Sequence, residues 1–140
     1  MYRRLLVATD GSFYAKQAED RALTLAKTFG SGIAAVYVID RARYQWAEEL
    51  MQEIYEKTKR EGEAVLRAFE EKAAQKGIKV ETKLREGTPS EEIVREAEAG
   101  GYDLIVLGSR GMSGAEEAML GSVVQRVVRR APCDVLVVRG

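Results

Sequence analysis

The stretch DLIVLGSRGMSGAEEAMLGSVVQRVVRRA, residues 103–131, runs from an apolar segment through a glycine-rich loop into a helical pattern. The apolar run LIVL before Gly108 reads as a strand. SVVQRVVRRA reads as a helix, with Arg126, Arg129 and Arg130 forming a solvated strip whose charges suit its carboxyl end. Between them, Gly108, Gly111, Gly114 and Gly121 fall within the fifteen positions Gly108 to Ser122. Glycine serves where φ must be positive or where backbone must approach a ligand too closely for a Cβ. A helix amino end offers unpaired N–H groups and partial positive charge, so loop and helix start together can cradle a phosphate. Ser109, Ser113 and Ser122 could add hydroxyl donors, and Arg110 is the one cationic side chain in the loop, fitting either a phosphate or solvent.

The same alternation runs outward from this stretch. Residues 4–9 (RLLVAT) form an apolar run ending in Asp-Gly-Ser, a strand followed by a turn with Ser12 as helix cap. Ala15, Ala18, Ala22, Leu25, Ala26 and Phe29 then recur at helical spacing, with Lys16, Glu19, Asp20, Arg21 and Lys27 mostly outside the stripe, and Gly30 ends the helix. Residues 33–39 (IAAVYVI) are a second buried strand. One helix from Tyr44 to Gln75 would be about 48 Å long at ~1.5 Å per residue, so a break is expected in its first part. Residues 78–84 (IKVETKL) alternate as a sheet-edge strand should, Thr88, Pro89 and Glu91 set up a capping box, and residues 133–138 (CDVLVV) make a fifth strand. The expected architecture is α/β: a single-domain, open, parallel five-stranded sheet with helices on both faces. Ligands in such sheets bind at carboxyl ends of strands where the order reverses. If the loops TDGS and GSRGMSG flank one crevice, the first and fourth strands are neighbours and the order is 3-2-1-4-5.

Composition limits the chemistry. The 140 residues fit one domain, and 22 basic side chains balance 22 acidic ones, which argues against nucleic acid or a membrane surface as partner. The opening apolar run is too short for a signal segment and no later one approaches a membrane span, so a cytoplasmic location is expected. With no histidine and one cysteine, zinc, haem and Ser/His/Asp arrangements are handicapped, and Cys133 reads as inert packing. Trp46, Tyr44 and Tyr55 read as amphipathic packing.

The loop is neither a Walker A sequence, which needs lysine before the hydroxyl residue, nor the dinucleotide fingerprint, which should follow the first strand. It matches GxxG, nine residues, then G[ST]: Gly108, Gly111, Met112 to Leu120, Gly121, Ser122. That pattern resembles the universal stress protein family, in its ATP-binding branch, with an adenine nucleotide alpha hydrolase-like fold. The similarity extends over ATDGS, the VID after the second strand, EGTPSEEI, DLIVLGSRG and LGSVVQRVVRRAPCDVLVV. Two departures are alanine at position 8, where some relatives carry proline, and the variable stretch after Asp40.

The resemblance implies ATP as ligand, with AMP or ADP as alternatives, and Mg²⁺ or Mn²⁺ carried by the phosphates. It implies that Asp10 contacts the nucleoside, that Ala8 and Thr9 line its pocket, and that the Val38 backbone bonds the adenine edge. Gly108, Ser109, Arg110, Gly111, Met112, Ser113 and Gly114 would wrap ribose and phosphates, and Gly121, Ser122 and Val123 would hold the phosphate tail. It also implies a homodimer paired through the last strand, and a regulatory module whose protein partner is unspecified. Asp10 read alone is equally a turn former. The enzymatic alternative, a slow ATP hydrolase or nucleotidyl transferase, would need a general base, for which only Asp10, Glu116 and Glu117 are candidates, and Arg110 is a thin phosphate clamp.

Overall fold

The structure, a computed structural model, describes residues 1–44, 48–110 and 120–140. Its elements are β1 (Arg4–Ala8), α1 (Phe13–Phe29), β2 (Gly32–Asp40), a 3₁₀ turn (Arg41–Tyr44), α2 (Glu48–Gln75), β3 (Glu81–Gly87), α3 (Pro89–Gly100), β4 (Leu104–Gly108), α4 (Ser122–Arg130) and β5 (Asp134–Val138). The sheet order is β3-β2-β1-β4-β5 and every pairing is parallel, as the two loops required.

Period-two alternation splits the core between the faces. Leu5 and Val7 meet α1 and α2 through Ala18, Ala22, Leu23, Leu66 and Phe69, whereas Leu6 joins Ile105, Ile93, Ala97, Val124 and Val127 under α3 and α4. α1 and α2 therefore cover one face and α3 and α4 the other.

Four expectations need correction. The third strand begins at Glu81, three residues past the expected Ile78. The Ile78 amide is taken by the Ala73 carbonyl at 2.9 Å and Gly77 holds φ +71, so the end of α2 is closed by a Schellman motif that consumes those residues. α2 runs unbroken from Glu48 to Gln75 and a separate 3₁₀ turn ends at Tyr44, so Tyr44 is not part of that helix; Trp46 lies outside the described residues. Thr88 stands at the N-cap of α3, but its side chain makes no capping bond, and the first turn relies on Glu91 and Glu92 instead. In α1, Glu19 is not on the solvent face: it is 3% exposed, within the buried row Ala15, Ala18, Ala22, Leu23, Ala26, while Phe29 is 40% exposed against Tyr2.

Two glycines fix how closely helices approach. A Cβ on Gly62 of α2 would lie 2.7 Å from the Tyr37 ring, so α2 packs flat on β2 only with glycine there. A Cβ on Gly108 would lie 2.7 Å from the carbonyl carbon and oxygen of Tyr14, because the start of α1 rests on the end of β4. No helix among the described residues is long and apolar enough to cross a membrane.

Candidate functional site

The carboxyl ends of β1, β2 and β4 open on a cavity of about 210 Å³. It lies between β1 and β4, where the strand order reverses. Ala8, Thr9 and Asp10 form one side, Val36, Tyr37, Val38 and Asp40 another, and Leu107, Gly108 and Arg110 a third. Gly121, Ser122, Val123 and Val124 at the start of α4 close the end, with Thr58 of α2 and Pro89 and Ile93 of α3 above and below.

The turn after β1 is tied down by its own side chains. Thr9 Oγ1 accepts from the Gly11 amide at 3.2 Å, Asp10 Oδ1 accepts from the Ser12 amide at 2.9 Å, and Ser12 Oγ caps α1 by accepting from the Ala15 amide at 3.2 Å. Each is a short-range side-chain-to-backbone bond of the Asx or Ser/Thr type. Gly11 has φ +79, so the turn requires glycine in the middle. Asp10 thus performs the turn-forming role and also faces the cavity.

Val38 gains a physical reading that its side chain could not supply. The β1 ladder stops at Ala8↔Val36, and the Thr9 amide donates to the Val36 carbonyl at 3.0 Å. In a parallel ladder alternate residues aim their N–H and C=O at the same neighbour. Those of Val38 therefore turn toward β1 beyond its last paired residue, at the cavity wall.

At the opposite wall, Gly121 is the N-cap of α4, with φ −63 and ψ 156, no side-chain capping bond and no acidic residue in the first turn. The Gly121 amide donates to the Ser109 carbonyl at 2.9 Å, so the first-turn donors of the helix without a partner among the described residues begin at Ser122 and Val123. Ser109 itself is buried behind the wall: its amide donates to the Val138 carbonyl at 2.9 Å, splicing β4, β5 and α4 together. Arg110 does not project into solvent. Its guanidinium carbon lies 4.2 Å over the Tyr14 ring and its Nη2 donates to the Tyr14 hydroxyl.

The structure brings together Ala8, Thr9, Asp10, Val38, Gly108, Arg110, Gly121, Ser122 and Val123 on one cavity. Gly111, Met112, Ser113 and Gly114, with Glu116 and Glu117, lie outside the described residues. Sequence reasoning missed Thr58, Asp40, Pro89 and Ile93 as wall residues. Pro89 carried a signal, read only as a helix start, whereas Thr58 sits mid-helix with nothing local to mark it. Cys133 is half-buried, and burial raises its thiol pKa, which keeps it the neutral thiol.

The model of the universal stress protein family matches residues 1–139. The chain belongs to the universal stress protein family. A universal stress protein of Methanocaldococcus jannaschii is 38% identical over 99% of this chain and 83% of its own length. Among solved universal stress proteins, one from Lactobacillus plantarum superposes with a TM-score of 0.91 at 27% identity, covering 99% of this chain and 98% of that one. Another, solved in complex with cAMP, gives 0.74 at 28% identity, covering 98% of this chain and 97% of that one.

Proposed function

We propose that this universal stress protein is a regulatory module that binds an adenine nucleotide, ATP first, with ADP and AMP as weaker ligands. The observation that carries the reading is the pairing of two main-chain features across one cavity: the open β2 edge at Val38 and the bare amides of α4. A neighbouring N–H and C=O on an open edge suit adenine, which offers an amino donor where guanine offers a carbonyl acceptor. Amides at a helix amino end suit phosphate. The relative in complex with cAMP supports the adenine assignment.

In this reading Asp10 holds the ribose end, with Ala8 and Thr9 beside it, and Gly108, Arg110 and residues 111–114 follow the ribose and phosphates toward Gly121, Ser122 and Val123. Ser109 contributes from behind the wall. Arg110 reaches the phosphates by leaving Tyr14. The described residues include no cluster of carboxylate, cysteine or histidine ligands; Mg²⁺ or Mn²⁺ would enter on the phosphates, which need only one or two protein oxygens besides.

The protein works in the cytoplasm as a homodimer through β5, the edge strand, whose outward main-chain groups and the half-buried Val135, Leu136 and Val137 suit pairing with a second copy. Calorimetry with ATP, ADP, AMP, cAMP and GTP tests the ligand: binding of ATP well ahead of GTP is expected, and absence of heat at millimolar adenine nucleotide overturns the reading.

A further inference from the structure

We propose that Glu19 is the positioning residue of this site: acting through Thr9, it sets the turn that carries Asp10. The proposal rests on the nucleotide reading for its functional consequence, but its structural core stands without it. Glu19 is 3% exposed on the apolar face of α1. Its Oε2 accepts from Thr9 Oγ1 at 2.6 Å, and its Oε1 lies 3.0 Å from Lys72 Nζ of α2, which also meets Asp20 Oδ1 at 2.8 Å.

Docking α1 on α2 does not need this arrangement. The exposed Asp20 already pairs with Lys72, and an aliphatic residue at position 19 would pack with none of the desolvation penalty a buried carboxylate carries. What the carboxylate adds is a fixed direction for one hydroxyl. With its O–H directed at Glu19, the Thr9 oxygen is left as an acceptor facing the Gly11 amide, the bond that accompanies the φ +79 turn. Asp10 is then held from both sides, by that bond before it and by the Ser12 amide after it. Val65 of α2 closes the turn from above, since a Cβ on Gly11 would lie 2.7 Å from its Cγ2. The same helix carries Thr58 into the cavity wall, so the Lys72–Glu19–Thr9 chain couples α2 to the tip of β1.

The test uses Glu19→Leu, Glu19→Gln, Thr9→Val and the Thr9→Val/Glu19→Leu double variant of the full chain. It has two readouts: amide hydrogen exchange at Gly11 and Ser12 without ligand, and ATP affinity by calorimetry. Glu19→Leu is expected to speed exchange at those two amides by about tenfold, the size of one lost hydrogen bond, and to weaken ATP by a similar factor. Amides of α3 should stay unchanged. Glu19→Gln keeps an oxygen for Thr9 and should restore both readouts to within about threefold of wild type. In the Thr9→Val background, Glu19→Leu should change neither. Equal effects of Gln and Leu, or additivity with Thr9→Val, would overturn the proposal, because a purely structural carboxylate behaves that way. If Glu19→Leu fails to fold, Glu19→Met takes its place: exchange at Gly11 faster by about tenfold supports the proposal and unaltered exchange defeats it. Wild-type protein that ignores ATP while showing the exchange pattern would defeat the nucleotide reading and leave Glu19 as organiser of the turn.

Discussion

α3 and α4 both begin at the rim of the cavity, but α3 brings its own anions and α4 brings none. α3 starts with Pro89, which has no N–H to offer, and places Glu91 and Glu92 in its first turn. Both Glu92 oxygens are engaged, one with Arg85 Nε at 2.9 Å and the other with Arg95 Nη1 at 2.7 Å, and Arg85 continues to Glu96 at 2.9 Å. The positive end of that helix is met from within. α4 has glycine at the cap, no acidic residue in its first turn and basic Arg129 and Arg130 in its last. Carboxylates in the first turn already interact with a helix's positive end, so of the two starts that wall the cavity, α4 is the one the proposed reading gives to a phosphate.

The strongest way to break this contrast is to make α4 begin as α3 does. Gly121→Asp adds a carboxylate where the phosphate is expected; two unit charges about 4 Å apart repel by ~4 kcal/mol at an effective dielectric of about 20. ATP affinity by calorimetry should fall by more than about a hundredfold, while the melting temperature holds or rises, because aspartate is a good cap. Retained affinity would remove α4 from the site.

Gly108→Ala sharpens the contrast by showing that the loop's glycines differ in purpose. The new methyl would press on Tyr14, and urea unfolding should show a loss of about 1–3 kcal/mol, with ATP affinity affected far less than by Gly121→Asp. Glu92→Gln should cost about 1–2 kcal/mol in the same measurement by weakening the bonds to Arg85 and Arg95, and leave ATP binding within about threefold.

The smallest effect concerns a pair of amides at the other end of the sheet, already closed by a carboxylate. Asp103 accepts from the Arg3 amide at 2.9 Å and the Arg4 amide at 3.1 Å. Those bonds, Arg3 first, hold its carboxyl below the ordinary 3.8. A lowered folded-state pKa gives stability that is present above the unfolded value and lost as pH falls through the folded one. Asp103→Asn should therefore melt slightly below wild type at neutral pH, with the gap closing as the solution is acidified below 3.8 and through the lowered folded-state pKa.

Much of this was legible in the chain. The order of the sheet followed from two polar loops after apolar runs, because a crevice between them admits one adjacency. Val38 was legible only through resemblance; its main chain acquires meaning once β1 stops at Ala8 and leaves that edge open. Gly108, read for ligand approach, lines the cavity and also answers to α1, and that second demand was not legible because the contact with Tyr14 spans distant parts of the chain that no local pattern joins. Glu19 was misplaced for a similar reason. Helical spacing assigns a charged residue to solvent by default, and the partners that justify its burial come from the turn before it and from Lys72, far along the sequence. Pattern reading locates faces well and locates polar chains through the core poorly.

The central place of β1 bears on how the molecule assembles. β1, synthesised before β2 to β5, ends flanked by β2 and by β4, and the Arg3–Asp103 bond beside the β1–β4 pairing spans 100 residues. Such long loops close late and slowly. Until β4 and α4 have been synthesised, β1 keeps an open flank, and the cavity lacks its amide wall. If the proposed nucleotide binds there, it would hasten or reward only the last stage of maturation, and a truncated chain ending before Gly121 should gain nothing from ATP.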